Sequence, residues 1–383
     1  MKKLTCVLIF LLIWAYPLRS TAEETLSGVI AQVIDSLDLQ SLERAGEGMQ
    51  TLSGGNVASL LSDIATGKKT FGFEPVFDAM REQLRASLSS MLHQTVQLAL
   101  PALLCALLSQ LGDSLSGAEL SRMARYGCFL LMLLPLTAWM LAHAQSVRVT
   151  IEDMSGRMQL LFPILLTLLS AVGGSASSAF MQPALLSASA VMTQIVTDVT
   201  LRLCICAGVV TAVNHLSGRV HLGRLAALLK QAAGWSMGVC FTVFIGVMTI
   251  QGVGTAVTDG ISLRMAKYAV NNMVPVVGGM FSDTVDMLVG CSLLVKNALG
   301  VVAMLILVAV IFAPLLKLGA AQLLMRLCAA LLEPVADPDV IACMDDFSGI
   351  FSLLFTTLLC VGAMFFLLVA QLLLLGNLTV MMR

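Results

Sequence analysis

The chain has 383 residues, of which 58% are apolar and 12% charged, and its formal net charge is −1. Soluble domains carry roughly 25% charged residues, so half that share excludes an ordinary water-soluble enzyme. No long basic block is present, so a nucleic-acid partner, which usually calls for a basic face, has no support. The apolar residues are gathered into long runs, such as Met91 to Leu111 and Phe351 to Leu375. About twenty apolar residues in helical form match the ~30 Å hydrocarbon core of a bilayer. Lipid offers no hydrogen-bond partners, so such runs must be helices that satisfy their own backbone. The expected fold class is all-α: a polytopic helical membrane protein with about seven to eight membrane segments and a small N-terminal helical extracytoplasmic region.

Residues 1–22 read as a signal peptide: Lys2 and Lys3, a short apolar stretch, then Ser20-Thr21-Ala22 before Glu23-Glu24. Residues 23–90 form the polar region. Leu26, Val29, Ile30, Val33, Ile34 and Leu37 recur at helical spacing, and Ser53-Gly54-Gly55 breaks the pattern. A further helix is expected from Pro75, with Val76, Phe77, Met80, Leu84 and Leu88 as its stripe. Gly67-Lys68-Lys69-Thr70 lacks the spacing and the preceding strand of a phosphate loop, so no nucleotide site is read there. Residues 91–383 form the multi-span domain. Its candidate segments are 91–111, 125–144, 159–179, 185–213, 233–253, 273–295, 298–325 and 350–376.

Orientation is contradictory at this level. The loop 214–231 carries Arg219, Arg224 and Lys230, and the chain ends in Arg383. The loop 326–349 carries Glu333, Asp337, Asp339, Asp345 and Asp346 against Arg326. Counting Lys and Arg places the first loop and the C-terminus inside and the second loop outside. Eight full crossings cannot meet this condition together with a cleaved leader. One early segment, 159–179 or 91–111, is therefore expected to be re-entrant or interfacial.

Ionisable groups at membrane depth cost ~2.5–3.5 kcal/mol each, so each is a functional candidate. The densest set lies in Val274–Gly300. Asp283 and Asp286 are three apart and share a helix face, with Asn297 near that face and Lys296 beside it. Gly278-Gly279 is expected to weaken or break the helix ahead of them. The alternative is a helix that begins after the glycines, with Ser282 or Asp283 as its N-cap. Gln194, Asp198 and Arg202 form a second set at i, i+4, i+8, with Asp198 and Arg202 able to pair. Val172-Gly173-Gly174 resembles Val277-Gly278-Gly279, and such interruptions in two halves point to an internal repeat.

Most of the ten Cys fall inside apolar runs, where Cys acts as a small hydrophobe. His93, His143, His215 and His221 are scattered and supply no metal set. No catalytic motif and no cofactor motif is found.

The segment VPVVGGMFSDTVDMLVGCSLLVKNALG, Val274 to Gly300, resembles the stage III sporulation protein AE family of endospore-forming bacteria. The terminal apolar run supports the resemblance, which extends over essentially the whole chain. It implies a mother-cell protein in the outer membrane around the engulfed forespore. It also implies membership of a channel complex, or feeding tube, with other stage III sporulation membrane proteins, an associated ATPase and a forespore membrane partner. The family supplies no catalytic residues. From the residues alone, the competing reading is an ion-coupled secondary transporter that uses the intramembrane carboxylates.

Overall fold

The computed structural model describes residues 118–216, 222–273, 277–334 and 336–381. It adds a short helix and turn at 39–46 and isolated helical positions between Ile30 and Leu107. The described elements are helical: α1 (Leu39–Ala45), α2 (Ala118–Ala171), α3 (Ser175–Ile195), a π-helical turn (Val196–Thr200), α4 (Leu201–Leu216), α5 (Gly223–Met273), α6 (Val277–Leu332) and α7 (Pro338–Met381). Among the described residues, five helices are long and apolar enough to cross a membrane, the run α3–π–α4 counting as one.

The eight expected segments map onto fewer, longer elements. Segments 125–144 and 159–171 are one helix, because the polar stretch between them stays helical within α2. Segment 298–325 and residues 277–295 of segment 273–295 both fall in α6. The expected segment 159–179 is not a single re-entrant piece. It is cut at 172–174 by a tight turn, where Gly174 N donates to Leu169 O at 2.9 Å and Gly173 has φ 101°. That six-to-one bond with a left-handed residue is a Schellman stop. Both glycines are required there: Gly173 by its φ, and Gly174 because a Cβ would stand 2.9 Å from Leu169 Cδ1. Segment 91–111 lies outside the described residues except for isolated helical positions.

α7 is the centre of the bundle and packs against α2, α3, α4, α5 and α6. Its buried residues Phe347, Phe351, Leu354, Leu358, Val361 and Phe365 recur every three or four positions. Close approaches fix the register. Gly208 of α4 faces Met140 of α2 and Ile350 of α7; Gly362 of α7 faces Met154 of α2 and Ile311 of α6; Gly300 of α6 faces Leu373 of α7. α2 and α5 therefore run with α7, while α4 and α6 run against it, an up-and-down order that short connections favour. α1 packs on α2, and Ile30, Ile34, Leu42 and Leu61 join the bundle's apolar core.

α7 has 44 residues, so at 1.5 Å per residue it is about 66 Å long, roughly twice the hydrocarbon thickness. Length alone requires these helices to tilt or to continue beyond the bilayer.

Candidate functional site: polar contacts within the bundle

At the end of the bundle that holds the 217–222 and 333–337 connections, three helices meet on one carboxylate. Asp346 of α7 contacts His215 Nε2 of α4 at 3.0 Å and accepts from Lys230 Nζ of α5 at 2.9 Å. Lys230 Nζ also donates to the Asp346 backbone carbonyl at 3.1 Å. Beside them, Arg326 Nε donates to Ser348 Oγ at 3.2 Å, and Asn214 Oδ1 accepts from Leu222 N at 2.7 Å. The Asn214 contact supplies a partner to a backbone donor at the start of α5, where free N–H groups are left over. One level further in, His143 packs edge-on to Phe351 and to Trp139, with ring centroids 5.6 and 5.4 Å apart. Edge-to-face packing sets the positive ring edge against the negative face.

This cluster corrects the orientation read from charge. Loops 214–231 and 326–349 lie at the same end of the bundle, because His215 and Lys230 reach Asp346. The acidic loop is offset by basic groups of its neighbour, so the two loops balance each other. Sequence reading missed the cluster because His215 and Asp346 are 131 positions apart. The available signal was that each member lies within about two turns of a helix end.

Towards the opposite end, Lys296 of α6 is 0% exposed. Its Nζ donates to Leu373 O of α7 at 3.0 Å, and the absent side chain of Gly376 leaves room for its stem. Among the described residues no carboxylate pairs with it. Asn297 Nδ2 donates to Asn377 Oδ1 at 3.3 Å, and the Asn297 Oδ1 is buried without a partner among the described residues. Gln371 Nε2 donates to Met248 O of α5 at 2.8 Å. The buried groups thus spend their donors on tying α5, α6 and α7 together.

Asp198 and Arg202 pair at 2.7 Å on the outer surface, with side chains 37% and 67% exposed. Asp198 sits in the π-helical turn, a feature frequent at functional sites. Thr200 Oγ1 of the same turn lies 3.1 Å from Ser236 Oγ of α5. The structure therefore separates this pair from Lys296 and Asn297. Gly278, Gly279, Asp283 and Asp286 all lie in α6, which starts at Val277. The glycine pair thus falls in the first turn of the helix; it does not break it, and the start is ahead of Ser282 and Asp283. Their side chains lie outside the described residues. The two Val-Gly-Gly sequences play different parts, one stopping a helix and one opening one. Among the described residues no His, Cys, Asp and Glu group forms a metal set.

The sequence profile described as Stage III sporulation protein AE (spore_III_AE) matches residues 55–376. The chain belongs to this family. It is also 30% identical, over 331 residues, to the protein named Stage III sporulation protein AE of Bacillus subtilis (strain 168). That match covers 84% of this chain and 81% of the relative. No solved structure matches the chain. Family membership, with the five long apolar helices, makes this a multi-pass membrane protein of sporulation.

Proposed function

We propose that the chain is a membrane subunit of the channel complex between mother cell and forespore, needed for spore development after engulfment. The observation that carries this reading is the family match over 55–376. In this role it stands in the mother-cell membrane around the forespore. Other stage III sporulation membrane proteins, an associated ATPase and a forespore membrane partner assemble with it. It is not an enzyme, and it carries no cofactor. Residues 23–90 face the space between the two membranes.

The polar contacts among the described residues fit a structural part better than a solute carrier. Asp198 and Arg202 neutralise each other on the outer surface, and Lys296 is held by a backbone carbonyl inside a tight interface. Neither arrangement offers a buried carboxylate to couple an ion. The test is microscopy of a deletion strain together with copurification. The expected result is engulfed forespores that stop maturing, and recovery of other stage III membrane proteins with the tagged chain. Normal maturation after deletion would overturn the proposal.

A further inference from the structure

Of the five apolar spans, α5 is the least enclosed: 28% of its apolar stretch is buried, against 39–50% in the others. On its outer surface Gly234, Gly238, Thr242 and Gly246 recur at every fourth position, and all four are exposed. The next row on the helix is Trp235, Val239, Val243 and Val247, which are 69, 58, 59 and 39% exposed. The two rows shape a groove of about 490 Å³, lined by Gly234, Trp235, Gly238, Val239, Thr242 and Val243. Thr242 Oγ1 donates to Gly238 O at 2.8 Å, so the groove presents no free hydroxyl donor.

The packing of a single chain gives no reason for these glycines. A Cβ at 234, 238 or 246 would meet nothing within 4 Å among the described residues, yet each Gly in a helix costs about 1 kcal/mol relative to Ala. Close approaches inside the bundle use other glycines, Gly208, Gly300 and Gly362, which each receive a neighbour's side chain. Gly127, Gly156 and Gly290 are also open, but they do not recur at four-residue spacing.

A row of small groups beside a row of large ones is complementary to the same surface turned about a two-fold axis. Rows at four-residue spacing interdigitate when helices cross at about −50°, and in membranes small residues at that spacing let two backbones approach closely at about −40°. Copies of one membrane protein insert the same way round, so α5 of one copy meets α5 of another in parallel. A two-fold axis along the membrane normal then lays the ridge of each copy in the groove of the other, the isologous contact of a closed dimer. The face has the right depth. α5 carries no charge from Gln231 to Gln251, about 30 Å at 1.5 Å per residue, which matches the hydrocarbon core. A strip that long and about 10 Å wide offers roughly 300 Å² per copy, less than the ~800 Å² per partner of a standard water-soluble contact. In lipid, close packing rather than hydrophobic area drives helix association. The strip therefore suits a dimer that forms in the bilayer and comes apart in dilute detergent.

We propose that the chain pairs with a second copy of itself through α5, with Gly234, Gly238, Thr242 and Gly246 as the contact row. This goes beyond the channel reading and does not depend on it.

The test uses full-length chains carrying a donor or an acceptor dye at the C-terminus, mixed in phosphatidylcholine vesicles over a range of lipid-to-protein ratios. Energy transfer above random mixing is expected. Combining Gly234→Leu with Gly238→Leu should raise the protein density needed for half-association at least ten-fold; Leu is chosen because Ala is itself accepted at such contacts. Gly290→Leu, at an open position of α6, should leave association unchanged. The second readout is oxidation of a Thr242→Cys chain in the same vesicles. It should give a covalent dimer beyond any formed by the parent chain, while Val301→Cys, exposed on α6, should not. The disulfide readout changes no glycine, so it decides the question if the leucine variant fails to fold. Random-mixing transfer from the wild-type chain at every density would overturn the proposal and leave the groove to lipid or to another protein. Equal association of the wild-type and leucine chains would also overturn it, as would the absence of a dimer trapped at position 242. None of these outcomes bears on whether deletion blocks sporulation.

Discussion

Replacing Gly376 by Ala probes the buried Lys296 contact. A Cβ at 376 would stand 2.6 Å from Lys296 Cε and 3.1 Å from its Cδ, and would also meet Nζ. Lys296 is fully buried, so its stem has no free volume to move into. Overpacking of this kind costs about 1–3 kcal/mol. Displacing Nζ from the Leu373 carbonyl also loses a charged hydrogen bond of roughly 1.5–3 kcal/mol. The better helix propensity of Ala returns about 1 kcal/mol. The net loss is therefore roughly 1.5–5 kcal/mol. Each kcal/mol shifts Tm by about 2–4 °C in domains of 150–250 residues, so thermal unfolding in mild detergent should show a fall of several degrees. Gly238→Ala is the control, because nothing lies within 4 Å of its Cβ position; it should hold or raise Tm. In a Lys296→Ala background the same Gly376→Ala change should cost much less, the non-additivity expected of residues in contact. Equal Tm shifts for Gly376→Ala and Gly238→Ala would refute the reasoning.

Three further outcomes follow from the geometry. Asp346→Ala removes the acceptor shared by His215 and Lys230. The carboxylate is 45% exposed, so the loss should be about 1 kcal/mol rather than the larger cost of breaking a buried pair; Asp346→Asn should lose less, as read by thermal unfolding. Asp198→Asn breaks a largely exposed i, i+4 pair, worth about 0.3–0.5 kcal/mol, so Tm should stay within a degree or two; a drop above 5 °C would show that the pair is buried in an assembly. Arg224→Cys and Asp339→Cys, in the first turns of α5 and α7, should both react with an impermeant thiol reagent from the same side of the membrane. Labelling from opposite sides would break the shared-end topology.

The apolar runs were legible as helices because composition and length suffice for that step. What the sequence hid was continuity. Residues 145–157 look like a loop between two spans because Arg148, Glu152, Asp153 and Arg157 are charged. They remain helical because the charges pair at i, i+4 on a solvated face. Lys296-Asn297 likewise separated two expected spans, yet the helix runs through them because Lys296 finds a carbonyl on α7. The Asp198–Arg202 contact could be read from spacing, since both partners lie on one helical face. The His215–Asp346–Lys230 cluster could not, because it depends on which helix ends adjoin.

The central claim, a membrane subunit required for spore development, is tested most directly by counting heat-resistant spores from a host strain that lacks this gene, beside the same strain carrying the wild-type gene. The account predicts that deletion removes nearly all heat-resistant spores and that the wild-type gene restores them. A normal count from the deletion strain would contradict it.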